Sequence, residues 1–239
     1  MRYLGSKRRI IKELIPFLLK DEKNMDYYIE PFVGGCNSII EVKKVSKLKC
    51  IGIDNNPYLI LFLNELKKGW KPPKKVSENL YQELRIEQKN KTFDEVNDPV
   101  LTAYVGLLMS FSAKWFGGYR RSSDRDEHKI AYQQAINLSK NISDIDFIFA
   151  SYNEYPIPDS SIIYCDPPYK KVTTGYYNKN FNHEEFYKWC MKIKNSDNRL
   201  FLSSYTAPKE FTCLWSKKVR TMVEVKKYKN NIEKLYELK

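Results

Sequence analysis

Histidine is nearly missing from this 239-residue chain, which has only His128 and His183. Its five cysteines, Cys36, Cys50, Cys165, Cys190 and Cys213, are an odd number and form no CxxC pair. Together these shortages exclude a zinc site of the usual spacings and a disulfide framework, and they fit reduced thiols in the cytoplasm. No apolar run is long enough to cross a membrane, and the opening "MRYLGSKRRIIKELIPFLLK" lacks the uninterrupted apolar stretch and small-residue cleavage site of a signal peptide. Acid is also in short supply. Twenty-nine Asp and Glu against 41 Lys and Arg leave a formal charge of +12, which points to a polyanionic partner, nucleic acid first among them. With 42% hydrophobic residues, the chain can bury a core of one-domain size.

No internal repeat or low-complexity tract interrupts the chain. Ser6 is expected to cap a helix running to about Leu19, with Ile10, Ile11, Leu14, Ile15 and Leu18 at helical spacing and Pro16 bending or ending it. "YYIEPFVGGCN" (27–37) reads as strand, glycine turn and helix start, and "KCIGIDNNP" (49–57) as a second strand ending in an acid before a Pro-initiated helix. That order opens a doubly wound parallel sheet. Residues 66–145 change character, with helical patterns at 77–90, 98–112 and 124–141. Strand signals return at 146–150, 161–165, 199–205 and 219–225. The sheet is therefore predicted to be interrupted by a helical insert.

Two strand ends carry chemistry. After the first, the glycines of "EPFVGG" allow a tight turn, and the next helix offers free amides. A lone pair of glycines is weak. Asp54, at the tip of the next strand, strengthens it, since an acid there can accept both hydroxyls of a ribose and so suggests a nucleoside cofactor. Taken alone, Asp54 could equally be a helix cap. The other strand ends in "IIYCDPPYKKV" (162–172). An Asp-Pro-Pro turn alone explains the prolines but not the tyrosine. An exocyclic amino group on an aromatic ring is a poor nucleophile because its lone pair is delocalised. Asp166 and the Pro167 carbonyl can accept its two N–H bonds, Pro167 and Pro168 hold the main chain rigid, and Tyr169 offers a face for stacking. Such a site suits methylation of a nucleobase amino group.

The order "RYLGSK" (2–7), "EPFVGG" (30–35), "GIDNNP" (52–57), helical insert, "IIYCDPPY" (162–169), "TTGYYNKNFNHEEFYKW" (173–189) and "LFLSSYTAP" (200–208) resembles the Dam-type DNA adenine-N6 methyltransferases. The likeness covers nearly the whole chain, with 66–145 matching loosely. It implies an α/β fold: a doubly wound, mostly parallel methyltransferase sheet with an antiparallel edge strand. Residues 1–65 and 146–239 would form the S-adenosyl-L-methionine-binding catalytic domain, and 66–145 a mainly helical, inserted target-recognition subdomain. It also implies that Glu30, Pro31, Phe32 and Gly34 cradle S-adenosyl-L-methionine, that Asp54 beside Asn55 takes its ribose, and that Tyr3, Gly5, Ser6 and Lys7 shape cofactor and base pockets. Asp166, Pro167, Pro168 and Tyr169 match the catalytic motif, with Asp166 also facing the cofactor. Two departures stand out. Cys36 replaces a third glycine, and Ser151-Tyr152 stands where an Asp-aromatic pair usually addresses the cofactor's adenine, so that contact is expected to weaken or come from backbone.

Direct methyl transfer to N6 requires the adenine to leave the helix stack. Double-stranded DNA would be gripped by basic clusters at 2–12 and 217–239. Lys7, the loop "KWFGGYRRSSDR" with Lys114, Tyr119, Arg120, Arg121 and Arg125, and Tyr176 are the expected contact residues, each open to a phosphate-only role. The "FNVPFG"-like stretch of GATC readers is absent, so the target sequence stays open. A cognate restriction endonuclease fits the reading, as does a monomer or weak dimer; a metal does not enter it. The alternatives are cytosine-N4 methylation and a catalytically silent DNA-binding relative.

Overall fold

The computed structural model describes residues 1–3, 5–169, 181–194, 197–224 and 227–239. Five parallel strands, β1 (Tyr27–Glu30), β2 (Lys49–Asp54), β3 (Ile145–Phe149), β4 (Ser161–Cys165) and β5 (Arg199–Ser204), form most of a seven-stranded sheet. Its order is β3-β2-β1-β4-β5-β7-β6. β6 (Phe211–Glu224) and β7 (Lys227–Leu238) make a long antiparallel hairpin, with β7 lying between β5 and β6. The sequence pattern gave one edge strand at 219–225; the structure has two strands, and β7 is the one antiparallel to the rest. Lysine and asparagine dilute the β-branched signal of β7, which only its pairing with β5 brings out.

Every residue of β4 is buried, as expected for a parallel strand covered on both faces. Its side chains alternate. Ile162 and Tyr164 join the larger hydrophobic cluster, and Ile163 and Cys165 join the opposite one with Phe186, Cys190, Leu200 and Leu202. A buried Leu, Ile or Phe stabilises by about 1.5–3 kcal/mol, whereas an exposed ion pair contributes less than about 1 kcal/mol. These two clusters, rather than the many surface pairs, hold the fold.

The helices start where short polar caps precede proline or an acid. Asn56 caps α3 (Pro57–Lys67), Ser77 caps α4 (Glu78–Asn90), Asp98 caps α5 (Pro99–Leu108), and Asp126 caps α6 (Glu127–Ser139), each through its side-chain oxygen. Two further helices, α2 (Asn37–Lys43) and α7 (His183–Ile193), follow β1 and precede β5. α1 (Ile11–Leu18) begins later than the periodicity suggested. Ser6 caps instead a 3-10 turn, Lys7–Arg9, and α1 passes through Pro16 before stopping two residues on. That turn aims Lys7 inward. Between α3 and β3 the chain contributes no strand to the sheet. Its α5 is buried along Thr102–Leu108, and a Cβ on Gly106 would stand 2.5 Å from the Trp115 ring, so the glycine lets the 111–118 loop lie flat on the helix. Tyr104 and Val105 of α5 and Ala131 and Ala135 of α6 share one cluster with Leu63 of α3 and Phe147 of β3. Insert and sheet thus have a continuous core. Among the described residues no helix is long and apolar enough to cross a membrane.

Strand order reverses between β1 and β4. Beyond their carboxyl ends lies the crevice in which α/β sheets place ligands, and it is there that the chemically unusual residues gather.

Candidate active site

Gly5 has φ +78°, a conformation that strains any residue with a Cβ. It turns the chain so that Ser6 N–H meets the Tyr3 carbonyl at 3.2 Å. The Lys7 side chain, 8% exposed, folds back to donate to the Gly5 carbonyl at 3.2 Å. The same ammonium lies 2.8 Å from Asp166 Oδ1 and 3.6 Å from Glu233 Oε1. Asp166 follows β4 directly. Glu233 comes from β7, one residue before Lys234, which pairs with Ser204 at the end of β5. Both carboxylates therefore reach the same strand-end crevice.

Tyr169 completes the group. Its hydroxyl donates to Glu233 Oε1, the Lys7 ammonium sits 4.7 Å from its ring centroid, and Tyr205 meets it edge-on at 4.7 Å and 79°. Burial pushes the Asp166 carboxyl up, opposed by Lys7 and by a hydrogen bond from Tyr169. It likewise raises Glu233, again against Lys7. For Lys7 burial works downward, but the two carboxylates outweigh it and its pKa is raised. The lysine is thus a cation held between two acids, in a setting that amplifies charge. Pro167 is buried and Pro168 partly so.

The neighbouring strand ends are different. Glu30 is 3% exposed and accepts from the Tyr28 hydroxyl at 2.9 Å, and burial raises its pKa well above the usual range. Asp54 accepts from Gly34 N–H at 3.0 Å and Asn56 N–H at 3.1 Å. Burial nevertheless moves its pKa up to about 6. The buried Glu30 would gain from an arriving ammonium, and Asp54 has lone pairs left for hydroxyl donors. Phe32, two residues on from Glu30, stacks on Tyr152 at 5.5 Å and 30°. This donor set suits an amino-acid-bearing nucleoside such as S-adenosyl-L-methionine. Pro31 is buried between Glu30 and Phe32, and Asn55 is exposed next to Asp54. Ser151 N–H is taken by Glu154 Oε2 at 2.8 Å, so Glu154 occupies the backbone donor that the sequence left for the cofactor. The glycine turn has a second use. Added Cβ atoms on Gly34 and Gly35 would stand 2.9 Å and 2.5 Å from Tyr3, so the glycines admit the N-terminal segment. Cys36 adopts the left-handed φ of +58° that a third glycine would have taken without strain.

The basic loop divides. Arg120 is buried and ion-paired with the equally buried Glu127 of α6, and its guanidinium donates to the Leu108 carbonyl at 3.3 Å. Tyr119 turns its hydroxyl to the Val76 carbonyl at 2.7 Å and to His128. Lys114, Arg121 and Arg125 are exposed, with Arg121 reaching Glu78. Tyr176 lies outside the described residues. Glu233 and Tyr205 were missed in the sequence. "NNIEKLYELK" reads as a solvated tail, with no apolar alternation to mark a strand that buries Glu233 and Leu235 while leaving Ile232 exposed.

A family model of the D12 class N6 adenine-specific DNA methyltransferases matches residues 3–232. The chain belongs to that family. This D12-class chain is 25% identical to the Type II methyltransferase M.FokI of Planomicrobium okeanokoites over 205 residues, covering 74% of this chain and 30% of that protein. It is 25% identical to the Type II methyltransferase M.MjaIII of Methanocaldococcus jannaschii over 85% of this chain and 83% of the relative. A DNA adenine methylase of Vibrio cholerae is 24% identical over 73% of this chain and 66% of its own length.

Proposed function

We propose that the protein methylates the exocyclic N6 of adenine in double-stranded DNA, with S-adenosyl-L-methionine held at the ends of β1 and β2. One observation carries most of this reading: a half-buried acid, Asp166, beside an aromatic ring, Tyr169, at the crevice where the strand order reverses. Family membership and the basic charge support it. Glu30, Phe32, Gly34 and Asp54 would hold the cofactor, assisted by Tyr3 and Tyr152. When bound, that cofactor supplies an electrophilic methyl group.

The chain's own work is alignment. Asp166 accepts one N6–H bond and the Pro167 carbonyl the other, which localises the nitrogen lone pair. Such pre-organised acceptors contribute through transition-state electrostatics and orientation. Because N6 cannot be reached inside a duplex, the adenine must swing out and stack against Tyr169. The nitrogen gives up its surplus proton once it carries the methyl group. Residues 66–145 serve as the recognition part, with Lys114, Arg121 and Arg125 facing DNA. Arg120 and Tyr119 instead hold the loop to α6 and to the segment before α4.

Purified protein incubated with unmethylated genomic DNA and labelled S-adenosyl-L-methionine tests the reading. N6-methyladenine at a short recurring sequence is the expected product. N4-methylcytosine would overturn the substrate, and absence of any transfer would overturn the activity.

A further inference from the structure

Lys7 presents a difficulty for the mechanism just described. Its ammonium makes a charge-assisted hydrogen bond to Asp166 Oδ1 at 2.8 Å, and it lies over the ring of Tyr169. These are the acceptor and the face that the base is to use. A carboxylate already engaged by a cation is a weaker acceptor for a neutral amino group. Moving the cation away is costly, because an ammonium with 8% exposure cannot be left without a counter-charge. The site contains a second acid placed to meet that need. Glu233 Oε1 is 3.6 Å from the same Nζ and is itself buried.

We propose that Glu233 is a positioning residue that takes over Lys7 when the target base arrives, freeing Asp166 and the Tyr169 ring for adenine. Deepening the N6-methylation reading, it rests on that reading. Lys7 turns about its own side chain from one carboxylate to the other, and no net charge enters or leaves the pocket. Glu233 also accepts from the Tyr169 hydroxyl, so one carboxylate fixes both the cation's second seat and the tilt of the stacking ring. It does not touch the reacting atoms.

The groups that face this pair come from every element around it. Lys7 arrives from the N-terminal turn, Glu30 from β1, Tyr164 and Asp166 from the end of β4, Tyr169 from the loop after it, and Tyr205 from the end of β5. Asp166 raises the tendency of Glu233 to hold a proton, and Lys7 opposes the effect of burial on both acids. Removing the charge of Glu233 commits Lys7 wholly to Asp166. Asp166 then ionises more easily, yet it serves the amino group less well.

The test uses Glu233→Gln, which keeps the shape and an acceptor for Tyr169 while losing the charge, together with Glu233→Asp. For Glu233→Gln, kcat is expected to fall about tenfold with the DNA KM within about threefold. The acid limb of its pH profile should move to lower pH by about half a unit or more. Glu233→Asp should restore the position of the acid limb and part of kcat. In a Lys7→Gln background the loss on Glu233→Gln should disappear, as for two residues acting through one contact. An unchanged kcat in Glu233→Gln overturns the proposal; so does a lower kcat whose acid limb stays put and which Asp does not rescue. The Asp166 titration followed by carboxyl 13C NMR in the apoprotein gives a readout without turnover. No downward shift in Glu233→Gln overturns the proposal there. An inactive wild-type protein overturns the N6 reading separately.

Discussion

The crevice beyond β1 and β4 and the loop at 111–126 look alike in the sequence: both mix basic residues with aromatics next to glycine. In the folded chain they differ in burial. At the crevice, Lys7, Asp166, Glu233 and Tyr169 come from distant parts of the chain and are enclosed, so each charge is answered by a named partner. In the loop, Arg120 is enclosed in the same way while its neighbour Arg121 is 70% exposed on an exposed glutamate. Residue type says that a charge is present; burial says whether its loss disturbs chemistry, folding or mere attraction.

The sharpest way to break the comparison is at Asp166. Asp166→Ala should lower kcat at least about 10²–10³-fold while DNA binding in a filter assay largely persists. Loss of both together would make Asp166 a structural residue like Arg120. Next, Arg120→Ala leaves the buried Glu127 with only its longer ion pairs to Arg2 at 3.9 Å and Arg125 at 3.8 Å, and should cost up to about 3–5 kcal/mol in denaturant unfolding. The same change at Arg121 should leave the unfolding midpoint where it was.

A smaller effect separates the two acids of the sheet. Asp54 is held by backbone amides alone and titrates at about 6. Below that pH it is neutral and loses acceptor capacity, so calorimetric cofactor affinity should fall by up to about tenfold per pH unit between pH 6 and 5. Since the folded pKa is raised, the apoprotein should for the same reason lose stability as pH rises from about 4 to 6. Cofactor affinity that is flat down to pH 5 would remove Asp54 from the site. Smallest of all, Arg121→Ala should weaken DNA binding a few-fold and reduce its log-log salt slope by about one.

What the sequence showed and hid follows from the range of its signals. Asp54 and Asp166 were legible because an apolar strand ending in an acid is a local pattern, and the helices of the insert because their caps and periods are local too. Glu233 was hidden, since its neighbours are lysine and asparagine and its role depends on β7 lying against β5. Arg120 was legible as a cation but not as an interior one, because Glu127 sits across a turn in α6. Cys36 was visible as a departure, and its backbone shows how the turn survives: a thiol side chain in a glycine's conformation.

The place of β7 in the sheet also fixes a timetable. The strands that carry Glu30 and Asp54 leave the ribosome early and pair with each other directly, so the proposed cofactor cradle would form while the rest of the chain is still being made. Glu233 follows Tyr169 by 64 residues, about 3 to 13 seconds of further synthesis at ordinary rates. Only when β7 slides between β5 and β6 does the base pocket receive its second acid. On the proposed reading, a nascent chain would hold its cofactor well before it could modify DNA.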